Sequence, residues 1–99
     1  EERLAGILDA VGAVRAGLGR APPLLVKLAP DLADAALGPL VEACAARGVS
    51  GLVLTNTTTG RPEGLLGRHR GEAGGLSGAP LRDRSTEVLR RCFRLARGR

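Results

Sequence analysis

An α/β chain with a parallel sheet is what this sequence predicts, on three observations. Two short runs, Leu24 to Ala29 and Gly51 to Thr55, are almost wholly apolar, which suits strands covered on both faces. Between and around them apolar residues recur at helical spacing. The 43% hydrophobic content is aliphatic, with Phe93 as the only aromatic residue, so a core of Leu, Val and Ala is implied. At 99 residues such a core is thin for one independent domain, and the chain reads as part of something larger.

Leu4, Ile7, Leu8, Val11, Val14 and Leu18 mark a first helix that stops near Gly19. Ala21-Pro22-Pro23 forbids further helix and opens an extended segment, the strand Leu24 to Ala29 follows, and Pro30-Asp31 ends it. A second helix is carried by Leu37, Leu40, Val41, Cys44 and Ala45, with Arg47 in its last turn and Gly48 as a left-handed cap. Gly51 to Thr55 is the second strand. The glycine-rich stretch from Asn56 to Ala79 reads as a loop, and loops of that length in compact domains are usually functional. A last helix starts near Pro80, with Leu81, Ser85, Val88, Leu89, Cys92 and Ala96 on one face and Arg82, Arg84, Arg90, Arg91, Arg94 and Arg97 largely around the other.

The order is helix, strand, helix, strand, long loop, helix. Two apolar strands joined through a helix form a parallel pair by the right-handed crossover rule. Two strands alone leave faces and edges open, and a (β/α)8 barrel, of which this would be a part, supplies the neighbours. A doubly wound sheet would also do so, but no GxGxxG follows either strand.

The formal charge is +5, yet the arginines are spread along helices with no aromatic residues to stack on bases, so solvated helix faces are favoured over a nucleic-acid surface. Cys44 and Cys92 fall at apolar helical positions without metal-ligand spacing, which favours core roles over a disulfide or a zinc site. No apolar run reaches the ~18 residues that a membrane span requires, and the opening Glu1-Glu2 does not resemble a signal peptide.

Three features could carry chemistry. Lys27 is the one lysine among 15 basic residues and lies in the middle of an apolar strand; either a compact cation is required there, or the ammonium snorkels to solvent. Thr55, Asn56 and Thr57 lie at the carboxyl end of the second strand, where ligands bind in α/β folds. Their amide and hydroxyls can read a planar imide or carboxamide edge, although they also suit a turn or cap. The glycines of Gly74-Gly75-Leu76-Ser77-Gly78 allow close backbone approach at the positive end of the following helix, or form a plain turn. His69, between two arginines, reads as solvated.

Taken together, "LLVKLAPDL", "GLVLTNTT", "RPEGLLG" and "GGLSGAPLRDRST" resemble the quinone-linked (class 2) dihydroorotate dehydrogenases, in order and spacing over essentially the whole chain, with details leaning toward the animal mitochondrial enzyme. The resemblance implies an internal fragment, residues 1–99, of a single FMN-binding (β/α)8 domain that oxidises dihydroorotate to orotate in pyrimidine synthesis, with ubiquinone as electron acceptor, at the mitochondrial inner membrane. By the same resemblance Lys27, Thr55, Ser77 and Gly78 contact FMN, and Asn56 and Thr57 hydrogen-bond the substrate. The family's catalytic serine lies upstream and no serine here matches it. Its main phosphate-binding glycines and its membrane-contacting, quinone-admitting helices are also outside these residues. Thr59-Gly60 departs slightly from the family pattern. The isolated chain is therefore expected to be inactive and to expose apolar strand edges. The alternatives are another FMN barrel oxidoreductase, such as a fumarate- or NAD-linked (class 1) dihydroorotate dehydrogenase or a dihydropyrimidine oxidoreductase, or a non-enzymatic basic module for RNA or an acidic partner.

Overall fold

A computed structural model describes residues 2–97. Its elements run α1 (Glu2–Ala16), β1 (Leu25–Leu28), α2 (Asp34–Ala46), β2 (Gly51–Leu54) and α3 (Ala79–Ala96), the expected order, with each strand shorter than its apolar run. The strands pair in parallel, with Leu25 opposite Gly51 and Leu28 opposite Leu54. Ser50 N–H donates to the Leu24 carbonyl at 2.8 Å just ahead of that register. Gly48 closes the end of α2 at φ 67°, the left-handed position a residue with a Cβ rarely adopts.

The two faces of the sheet differ. Leu28 is buried, and Leu52 and Leu54 pack on a core of Leu37, Val41, Val88 and Cys92, so helices α2 and α3 cover one face. Leu25, Lys27 and Val53 are exposed, Leu25 at 56%. Two strands by themselves leave one face open, as expected. Side chains alternate across a strand, and among the described residues all the cover comes from one side. The uncovered side corresponds to the inside of a barrel, which layers from other strands fill.

Helix α1 meets α2 through buried Leu8 and an ion pair from Arg47 Nε to Asp9 Oδ1 at 2.8 Å. Half of the predicted α1 stripe stays exposed, with Ile7 at 54% and Val14 at 69%. In α2, Ala43 rather than Ala45 is buried. Helix α3 buries Leu81, Val88 and Cys92 as predicted, while Leu89 is half exposed.

Arg84 departs from the outward arginine face. Its guanidinium reaches back over the β1–α2 turn, donating to the Pro30 carbonyl at 2.9 Å, the Leu32 carbonyl at 2.8 Å and Asp34 Oδ1 at 2.9 Å. The turn leaves these carbonyls without strand or helix partners, and a planar five-donor fork satisfies them together.

Cys44 and Cys92 are free, buried thiols, in keeping with core roles. Apolar side chains at helical spacing bring both into the packed interior.

Candidate functional site

The parallel register sets the carboxyl ends of β1 and β2 side by side, with Lys27 opposite Val53. Asn56 N–H donates to the Leu28 carbonyl at 2.8 Å, which continues the pairing one step beyond the strands and fixes where Thr55-Asn56-Thr57 emerges. The Leu54–Thr55 peptide is cis.

The far end of the long loop then returns to the same place. Thr58 and Leu76 form an antiparallel bridge, with Thr58 N–H donating to the Leu76 carbonyl at 3.0 Å and Leu76 N–H to the Thr58 carbonyl at 2.8 Å. Ser77 and Gly78 follow at once, and Gly78, at φ 82°, is the residue from which α3 starts. Thus Thr55, Asn56 and Thr57 on one limb and Ser77 and Gly78 on the other are held together beyond the carboxyl end of β2. Sequence spacing alone, with about twenty residues separating the limbs, does not dictate this.

The polar groups there are partly unengaged. The Thr55 hydroxyl is buried without a hydrogen-bond partner among the described residues, a state costly enough to point to a missing partner. Asn56 Oδ1 accepts from Thr57 N–H at 2.8 Å, and its side-chain NH2 makes no hydrogen bond among the described residues. Lys27 is exposed on the open face of the sheet, with no ion pair among the described residues. No side chain caps α3, although Leu81 N–H reaches the Gly78 carbonyl at 3.0 Å. One cation, one buried hydroxyl, free amide donors and the positive end of a helix make a donor set suited to an electron-rich, partly anionic planar ligand.

Asp31 and Arg61 were not singled out in the sequence, and they build the site's frame. Asp31 accepts from the Thr58 hydroxyl through Oδ1, and through Oδ2 from Thr59 N–H at 2.9 Å and the Thr59 hydroxyl at 3.2 Å. The Thr58 hydroxyl, then Thr59 N–H, hold the Asp31 carboxyl below the usual aspartate range. The contribution is therefore present above the ordinary aspartate value of ~3.9 and is lost as pH falls through the lowered one.

Arg61 gathers the loop's backbone. It donates to the carbonyls of Gly60 at 3.0 Å, Thr59 at 3.3 Å, Glu72 at 2.7 Å and Gly74 at 2.8 Å. No local signal marks Arg61, because its carbonyl partners at Glu72 and Gly74 lie 11 and 13 residues away and meet it only in the folded loop. His69 is exposed and pairs with Glu72 at 2.6 Å, beside Arg68, outside this site as expected.

Against known proteins, the Dihydroorotate dehydrogenase family model matches residues 2–99. The dihydroorotate dehydrogenase (quinone) of Cereibacter sphaeroides is 48% identical over 98 residues, 99% of this chain and 27% of that protein. The protein of the same name from Deinococcus radiodurans is 52% identical over 92 residues, 93% of this chain and 25% of that one. That of Halobacterium salinarum is 51% identical over 89 residues, 90% and 24%. The chain thus spans about a quarter of the length of these curated relatives. Among solved structures, the ligand-free DHODH of Eimeria tenella superposes with a TM-score of 0.90 at 32% identity, covering 98% of this chain and 31% of that one. The likeness identifies α1 to α3 as part of a (β/α)8 barrel, the expected fold.

Proposed function

Because the chain belongs to the dihydroorotate dehydrogenase family, we propose that residues 1–99 are an internal part of a single-domain, quinone-linked enzyme that binds FMN and oxidises dihydroorotate to orotate in pyrimidine synthesis. The observation that carries this reading is the unpartnered Thr55 hydroxyl and the free Asn56 NH2 at the carboxyl end of β2, beside the parallel strand that carries the chain's one lysine.

The residues present fit the flavin. Lys27 would stabilise the negative charge that the ring gains on reduction, the Thr55 hydroxyl would gain the hydrogen bond it lacks, and Ser77 and the Gly78 backbone would meet the flavin at the start of α3. When bound, FMN supplies the two-electron acceptor for oxidation of the C5–C6 bond of dihydroorotate. Asn56 and Thr57 bind the substrate, the amide reading both a carbonyl and an N–H of the ring, and so orient that bond for reaction. The base that takes the C5 proton lies outside these residues.

The quinone in the name the relatives share and the class 2 motifs support ubiquinone as acceptor. A quinone dissolved in lipid requires the whole enzyme to reach a membrane. In a eukaryotic source that is the mitochondrial inner membrane, whereas the curated sequence relatives named above are bacterial and archaeal. No helix of the described residues is long and apolar enough to cross a membrane; the reading assigns membrane contact to a segment outside them.

The test is the complete enzyme that contains this chain, purified and assayed for bound FMN by absorbance and for dihydroorotate oxidation with a soluble ubiquinone, fumarate or NAD as acceptor. Oxidation with the quinone alone is expected. Preference for fumarate or NAD would make it a class 1 enzyme, and no oxidation with any acceptor would overturn the reading.

A further inference from the structure

None of the roles given to Lys27, Thr55, Asn56, Thr57, Ser77 or Gly78 uses Asp31, yet both of its carboxylate oxygens are taken up by the loop that follows β2. Oδ1 accepts from the Thr58 hydroxyl, and Oδ2 from Thr59 N–H at 2.9 Å and the Thr59 hydroxyl at 3.2 Å. The Thr58 hydroxyl also accepts from Gly60 N–H at 3.0 Å. Thr58 is the residue whose backbone bridges Leu76. On the other side, Arg84 grips the carbonyls of Pro30 and Leu32, the residues that flank Asp31. An unbroken chain of contacts therefore runs from α3 through Arg84 and the turn after β1 to Asp31, and from Asp31 to Thr58 and Thr59, directly beside Asn56-Thr57.

Resting on the functional reading above, we propose that Asp31 is a positioning residue for the substrate: its carboxylate clasps Thr58 and Thr59 and so sets the direction in which the Asn56 and Thr57 side chains leave the end of β2. The chemistry requires a carboxylate. Three donors converge on two oxygens that can only accept, and an amide in the same place would turn an NH2 toward one set of donors. The connection is short, since one residue separates Thr57 from Thr59, and a small displacement of a binding group weakens an oriented complex severely.

The test uses Asp31→Asn in the complete, FMN-loaded enzyme, with three readings: orotate affinity by calorimetry, hydrogen exchange at the Thr59 amide, and KM against kcat for dihydroorotate. Expected are a rise of about tenfold in the orotate Kd and in dihydroorotate KM, with faster Thr59 exchange and an FMN content like that of the wild type. Thr58→Ser, which keeps the hydroxyl, should retain wild-type orotate affinity, and Thr58→Val should lose it. Should Asp31→Asn not fold, the Thr58 pair decides. Unchanged orotate affinity in folded Asp31→Asn or in Thr58→Val overturns the proposal while leaving the functional reading intact. A wild-type enzyme that neither binds orotate nor oxidises dihydroorotate overturns that reading and the proposal with it.

Discussion

The Thr57 side chain occupies the space that a side chain on Gly75 would fill: a methyl group there would collide with the Thr57 hydroxyl and lie 2.7 Å from its Cβ. The two limbs of the site touch at this point, so the glycine is set by close approach. Gly75→Ala in the complete enzyme must displace Thr57, and dihydroorotate KM is expected to rise about tenfold or more. Gly71→Ala, where an added Cβ meets nothing within 4 Å, is the control and should leave steady-state kinetics unchanged.

Lys27 stands on the uncovered face of the sheet, free of any carboxylate among the described residues. A cation there stabilises negative charge on a ligand, and its loss should lower the rate of flavin reduction by dihydroorotate by ~10²-fold in Lys27→Ala. Stopped-flow absorbance reads the rate, and the FMN-to-protein ratio reads binding. An unchanged rate together with unchanged FMN content would remove Lys27 from the site.

Arg84 ties α3 to the turn after β1 through two backbone carbonyls and Asp34. Arg84→Ala leaves those carbonyls without their donors and should destabilise the folded enzyme by about 1–3 kcal/mol. Arg82, on the exposed side of the same helix and paired with Asp83 at 3.4 Å, should change stability by less than ~0.5 kcal/mol when replaced by alanine. Denaturant unfolding of the two variants side by side checks the contrast.

Burial pushes the thiols of Cys44 and Cys92 up from the ordinary cysteine value, with Arg47 opposing the shift at Cys44 and Cys44 adding to it at Cys92. Both should resist alkylation at pH 7.5 in the native enzyme and react after unfolding, as mass spectrometry can count. Because the folded values are raised, the stability these thiols contribute is complete below the ordinary ~8.5 and is lost as pH rises through the raised values.

The element order and the site-bearing strand ends were legible in the sequence because both rest on local rules. Apolar periodicity separates helix from strand, Pro22-Pro23 and Gly48 punctuate them, and ligands in parallel α/β folds gather at carboxyl strand ends. Arg84 was misread because the alternation of arginines along α3 says which face a residue occupies, and a long side chain can still reach back to unpaired carbonyls. Asp31 read only as a strand terminator, since its partners lie 27 and 28 residues away.

By itself, then, the sequence determined the order of helices and strands and that the strands run parallel. Tertiary structure alone decided that the two limbs of the long loop meet at the Thr58–Leu76 bridge, that Asp31 and Arg61 hold them there, and that Lys27 faces outward from the helix-covered side. The physical reason is one of range. Propensity, capping and periodicity act over a few residues, whereas unsatisfied carbonyls and hydroxyls take whatever donor or acceptor the folded chain brings near.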